Sequence, residues 1–225
     1  MTDAARGWFD GLDPEDVAAG AAAIRDGSAE EPADWPSSAV EAGYAADADE
    51  YYDRLQRAAI EAAREGVHER ERADDRQLVH AVRAMDDCRR TANELAERLA
   101  EWGGSLEDGA GSGVEYARTL AEREGTDPVE MRLIGLASRV ADLDEEAANL
   151  RGFVERAAPS VAPNLAAIAG PVLAARLISQ AGSLEALAKL PSGTVQVLGA
   201  EDALFAHLQG GAPSPKHGVI YTHEY

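Results

Sequence analysis

A seven-residue apolar rhythm constrains this chain more than any other feature of its sequence. Val129, Leu133, Leu136, Val140, Leu143, Ala147, Leu150, Val154 and Ala157 follow one another in alternating steps of four and three. Spacing of this kind keeps one apolar seam on a single side of a helix, and such a seam requires a partner helix along its whole length. Thr126-Asp127-Pro128 stands just before it, a capping carboxylate followed by a residue whose φ is preset for a first helical turn. The helix predicted from there is about 45 Å long at 1.5 Å per residue. A second helix of nearly equal length is predicted over Asp74–Trp102. It places Leu78, Val82, Met85, Cys88, Ala92, Leu95, Leu99 and Trp102 at the same steps. Glycines 103, 104, 111 and 113 break the chain between the two, beside a short helix from Val114 to about Glu124. Packing the long helices antiparallel is the simplest arrangement. The pattern leaves open whether the seam closes within the chain or against a second copy in a homodimer.

The flanks differ in texture. Residues 1–50 hold thirteen acids and two bases, with Pro14, Pro32 and Pro36. They read as a small, loosely packed unit with room for one or two strands. Asp13-Pro14 is the expected helix start, and Gly27 to Pro36 the expected loop. Helix is expected from about residue 49 to Arg72. From Pro159 onward the chain is close to neutral, with four acids and three bases. The sequence therefore divides into 1–50, a helical arm over 51–158, and a third region over 159–225. Pro163 and Gly170-Pro171 each open or restart a helix there, and Ser183 supplies a cap with Glu185 in the first turn. Gly199 separates two short apolar elements, Val195–Leu198 and Ala203–Leu208. Gly210-Gly211, Pro213 and Pro215 then form a stiff loop presenting Lys216-His217-Gly218, groups suited to phosphate and sugar edges.

Composition excludes several classes. Forty-one acids against 21 bases give a net charge of −20, and Lys189 and Lys216 are the only lysines. Acidity spread in this way fits a halophilic cytosol, where the Debye length falls to about 3 Å near 1 M salt and self-repulsion is screened. Cys88 is the single cysteine, which rules out an internal disulfide or a cysteine zinc site, and it is expected to be a small core residue. His207, His217 and His223 have no standard metal spacing. Gly103–Gly113 lacks the Gly-Lys-Ser/Thr of a phosphate loop. Asp86-Asp87 and Glu145-Glu146 are neighbours whose side chains diverge on a helix, so they are expected on solvated faces. The first ten residues lack the pattern of a secretory leader, and no run is long enough to span a membrane. The expectation is a cytoplasmic protein that is not an enzyme and uses no cofactor or metal.

Val161 to His223 carries four marks in order. They are Ala162-Pro163-Asn164-Leu165 running to Ile168 and Gly170-Pro171, Ala181-Gly182-Ser183-Leu184 to Ala188-Lys189, Gln196-Val197-Leu198-Gly199-Ala200-Glu201 to Ala203-Leu204-Phe205, and Pro215-Lys216-His217-Gly218 to Ile220. This stretch resembles the first half of the Nop domain, found in archaeal and eukaryotic box C/D core proteins and in a spliceosomal relative. The segments at Asp74–Asp87 and Ala92–Trp102 resemble the same family's coiled-coil arm. The resemblance implies an all-α chain, a long antiparallel coiled-coil hairpin followed by a partial Nop domain, truncated at Tyr225.

The function that the resemblance implies is a scaffold for box C/D guide RNA. It would bind kink-turn RNA together with a kink-turn-binding protein, hold a fibrillarin-like methyltransferase for RNA 2'-O-methylation, and pair two copies through the coiled coil. Carried onto this sequence, the binding block is Gly199, Ala200, Glu201, Ala203, Leu204, Phe205, Lys216, His217 and Gly218. Leu204 and Phe205 are expected in the core or against protein, and Lys216 and His217 against RNA. Asp202 and Ala206 stand where the family often has bases. The competing reading is a coiled-coil dimer or adaptor, or a truncated paralogue without RNA binding.

Overall fold

The heptad seam closes within the chain. In the computed structural model, which describes residues 7–28 and 33–223, helix α4 (Asp74–Gly104) packs along helix α6 (Pro128–Val161). The two run antiparallel: Leu78, Val82 and Met85 from the start of α4 share a cluster with Val154 and Ala158 from the end of α6. Ala92, Ala96 and Leu99 share another with Leu133, Ala137 and Val140. Asp127 caps α6 as its sequence predicts, its Oδ1 accepting the N–H groups of Val129 at 2.7 Å and Glu130 at 3.1 Å. The short helix α5 (Gly113–Ala121) covers the turn of the hairpin, inserting Ala117 and Leu120 beneath Leu99.

The chain forms two compact units, Met1–Ala73 and Asp74–Tyr225, rather than dividing at 50 and 158. The first comprises α1 (Val17–Asp26), α2 (Trp35–Glu41) and α3 (Ala48–Arg72). Among the described residues it has no strand. Nor is it loose, for Trp8, Phe9, Tyr44 and Tyr51 meet edge-on, tilted or stacked at ring separations of 5.3 to 6.3 Å. Burial pushes the Tyr44 hydroxyl above its ordinary value of 10.0, while nearby Arg54 pulls the other way. Helix α1 starts three residues later than Asp13-Pro14 suggests. Asp13 instead accepts the Glu15 N–H in a tight turn, and Asp16 caps the helix through the Ala19 N–H. Of the expected loop from Gly27 to Pro36, residues 29–32 lie outside the described residues, and Trp35 and Pro36 already belong to α2.

In the second unit α6 runs through Pro159 and ends at Val161. A proline in a last turn forfeits one backbone bond without forcing the chain out of the helix, so the change of composition at 159 is not a change of element. A helical cap follows: α7 (Pro163–Ala169), α8 (Pro171–Ala181), α9 (Leu184–Lys189), α10 (Ser192–Val197), α11 (Glu201–Leu208) and a 3-10 turn, Val219–Thr222. Ser183 caps α9 as expected, accepting the Ala186 N–H at 3.0 Å. Leu173, Ala175, Leu177 and Ile178 of α8 sit in one core with Leu78, Val82 and Val154, which seats the cap on the root of the hairpin.

Polar locks fix the angle of that seat. Arg76 donates to the Gly182 carbonyl at 2.9 Å, Asp75 accepts the Leu184 N–H at 3.0 Å, and Arg83 donates to Ser179 Oγ at 2.9 Å. Arg176 grips both oxygens of Asp86, with Nε to Oδ2 at 3.0 Å. Asp86 is thus a part-buried ion-pair partner rather than a fully solvated acid, because α8 folds back across that face of α4. Cys88 is half-buried instead of fully in the core.

Candidate functional site

The loop that the sequence singles out is held down at its far end by backbone. The Gly218 N–H donates to the Gln196 carbonyl at 2.8 Å and the Val219 N–H to the Leu198 carbonyl at 2.6 Å, tying the loop to the end of α10. The Gln196 side chain adds a third tie, Nε2 donating to the Lys216 carbonyl at 2.8 Å. These bonds allow no side chain at 218, where a Cβ would come within 2.6 Å of the Leu198 carbonyl carbon and 2.7 Å of that of Val197. Gly199 turns with φ +80°, a left-handed conformation that side chains resist, and lies against Val219. Both glycines of the binding block therefore shape backbone, and the structure brings them together.

The other block residues fall into two groups. Ala200 ends the turn, its N–H donating to the Val197 carbonyl at 3.0 Å, and its own carbonyl accepts the Leu204 N–H at 2.9 Å. Glu201 folds back, accepting the Gly199 N–H at 2.9 Å, so its charge caps this turn. Ala203 is exposed and Leu204 half-buried. Phe205 is 63% exposed, so it is not a core residue; with Leu208 at 71% it gives α11 an apolar outer face. The start of the loop hangs from the end of that helix through Gly211 N–H to the Ala206 carbonyl at 3.0 Å and His207 Nδ1 to the Ala212 carbonyl at 2.9 Å.

Lys216 and His217 are both exposed at the tied end of the loop. Lys216 forms no ion pair with any described residue, unlike Arg176, held by Asp86, and Lys189, held by Glu185. The His217 ring lies beside Tyr221, centroids 6.5 Å apart and planes 22° from parallel. Next to the 3-10 turn an open groove of about 400 Å³ is lined by Arg151, Gly170, Arg176, Thr222 and His223. Its arginines are already neutralised, Arg151 by Glu155 at 2.8 Å. The three histidines stand apart in role, since His207 binds Ala212 and His223 Nε2 meets the Ile168 carbonyl at 3.3 Å. Among the described residues no cluster of His, Cys, Asp or Glu is placed to hold a metal ion. Sequence reasoning missed Gln196 and Tyr221. Nothing in the apolar rhythm marks either, because a turn that brings 196 next to 216 leaves no periodic trace.

Comparison with known proteins adds the following. The Nop family model, described as "snoRNA binding domain, fibrillarin", matches residues 72–225. An uncharacterised NOP5 family protein of Methanocaldococcus jannaschii is 32% identical over 81% of this chain and 53% of its own length. Nucleolar protein 56 of Dictyostelium discoideum is 36% identical over 64% of this chain and 27% of its own length. Nucleolar protein 58 of Yarrowia lipolytica is 32% identical over 65% and 36%, respectively. The chain thus spans about half the length of these curated relatives or less. A solved fibrillarin/Nop5p complex contains a chain with a TM-score of 0.47 and 21% identity, over 98% of this chain and 78% of that one. The cytoplasmic expectation is overturned by the relatives named as nucleolar proteins.

Proposed function

The chain belongs to the Nop family, whose model covers residues 72–225, and we propose that it works as a non-catalytic RNA–protein scaffold for box C/D guide RNA. The observation that carries this reading is the pinned loop: Gly218 and Val219 tie it to α10, and the tie leaves Lys216 and His217 outward, with Lys216 in no ion pair among the described residues. A cation and an imidazole on a stiff loop suit phosphate and sugar edges, which position a nucleic acid without reading it. Lys216 is the loop's single cation in a chain of net charge −20, so counterion release contributes little to affinity here. The RNA is instead met as a composite with its kink-turn-binding protein already in place. Phe205 and Leu208 on the outer face of α11 offer that protein an apolar contact.

The remaining partners follow from the family. A fibrillarin-like methyltransferase supplies the chemistry of RNA 2'-O-methylation, with the N-terminal unit as its docking body. The α4/α6 seam is closed within the chain, so a homodimer through the coiled coil would use the hairpin end, where Leu106, Val129 and Met131 are 45 to 54% exposed. The test is a gel shift with kink-turn RNA, bare and precomplexed with a kink-turn-binding protein. Retention of the complex but not of bare RNA is expected. Equal affinity for bare RNA refutes composite binding, and retention of neither leaves a helical adaptor as the function.

A further inference from the structure

Tyr221 presents a bare aromatic ring beside His217. It is 81% exposed, the most exposed large hydrophobic residue among the described residues, yet its backbone is firmly held. The Tyr221 N–H donates to the Gly218 carbonyl at 3.1 Å, and Thr222 Oγ1 donates to the Val219 carbonyl at 2.8 Å. Just before it Val219 and Ile220 pack against the main core. The ring is thereby fixed at its root while its face is left to solvent. An immobilised, solvated aromatic face is unusual, since Tyr generally buries its ring and leaves only its hydroxyl wet. Among the described residues its one aromatic neighbour is His217, nearly parallel at 22°. A centroid separation of 6.5 Å is at the far end of the range in which such rings interact, so ring faces remain available.

We propose that Tyr221 is the stacking platform for one unpaired nucleobase of the bound RNA, with His217 continuing the stack and Lys216 meeting the adjoining phosphate. This rests on the RNA-binding reading above and adds to it a residue outside the block inferred from the sequence. A nucleobase fits the arrangement better than an aromatic side chain, because it joins a planar π face to a phosphate within reach of the same loop. An unpaired base is required, since bases within a helix keep their faces in the stack and single-stranded loops are where aromatic side chains reach them. Stacking of this kind tolerates any base, so it sets affinity and position rather than sequence.

The experiment titrates the full chain into a kink-turn RNA precomplexed with its kink-turn-binding protein. Each unpaired nucleotide of the RNA is replaced in turn by 2-aminopurine or by an abasic residue. Wild type should quench the 2-aminopurine at one position. Tyr221→Ala should abolish that quench and weaken binding roughly ten- to a hundredfold. Tyr221→Phe, which keeps the ring, should behave as wild type. The abasic RNA should bind wild type and Tyr221→Ala alike, and unchanged thermal melts of both variants show that the fold is intact. If wild type binds but Tyr221→Ala binds equally well, or if Tyr221→Phe is as weak as Tyr221→Ala, stacking is overturned while the scaffold reading stands. If wild type fails to bind at all, both fall.

Discussion

Replacing Gly218 by alanine tests the architecture of the loop directly. The new methyl carbon would lie within 2.6 Å of the Leu198 carbonyl carbon and 2.7 Å of the Val197 carbonyl carbon, both rigid backbone atoms at the end of α10. Neither side can yield by rotating a side chain, so the loop must lift away. Lifting breaks the bonds from Gly218 N–H to Gln196 and from Val219 N–H to Leu198. Two such bonds contribute about 1–3 kcal/mol together. Val219 and Ile220, each half-buried against the core, contribute about 1 kcal/mol apiece. Their sum, about 3–5 kcal/mol, is a ceiling, because a loop that detaches locally relieves the clash without unfolding the hairpin. The expected loss is about 2–4 kcal/mol, and at about 2–4 °C per kcal/mol for a body of this size a visible drop in Tm. Amide exchange resolves the cause: the amides of residues 218 and 219 should lose protection while those of Leu78 and Leu99 keep theirs. Unchanged protection at 218 and 219 with an unchanged Tm would refute the reasoning.

Two further outcomes are expected. Leu99→Ala, at a fully buried position, should lose about 2–5 kcal/mol in denaturant unfolding, whereas Val129→Ala, at 45% exposure, should stay within about 0.5 kcal/mol. Comparable losses that vary with protein concentration would place Val129 in a contact between copies instead. Glu130 is held below its ordinary carboxyl value of 4.5, chiefly because it accepts the Thr126 hydroxyl and also its N–H. A carboxylate lowered on folding stabilises above pH 4.5 and loses that contribution as the pH falls through its lowered value. Thr126→Ala should bring Glu130 back toward 4.5 in an NMR titration, and an unmoved midpoint would show that the hydroxyl is not the cause.

Much of the helical frame was legible because helix caps and heptads are local. Asp127-Pro128 and Ser183 start their helices where the side-chain chemistry requires, and the 4-3 spacing located both arms of the hairpin. The seam itself drifted. Val129 and Trp102 proved exposed, while Val79, Ala81, Ala96, Gly103, Ala137 and Ala158 joined the interior. A helix of 3.6 residues per turn rotates away from a strict seven-residue repeat unless it supercoils, and small alanines let the neighbour follow. At the site, Gly199, Gly218, Lys216 and His217 could be singled out because they stand in a motif. Tyr221 and the partners Arg83, Arg176 and Asp86 could not, and Gln196, although it stands in the same motif as Gly199, gave no sign of its bond to the Lys216 carbonyl, since such roles come from contacts that no local pattern encodes.

The polar locks at the root of the hairpin join positions 90, 96, 106 and 109 residues apart along the chain. None of them can form until the chain has travelled out along α4 and returned along α6. Closing so long an excursion carries an entropic penalty that only the paired arms can offset. The seat of the cap on the root therefore depends on the hairpin having paired. During synthesis, the last of these locks cannot close until the chain has been made through Leu184.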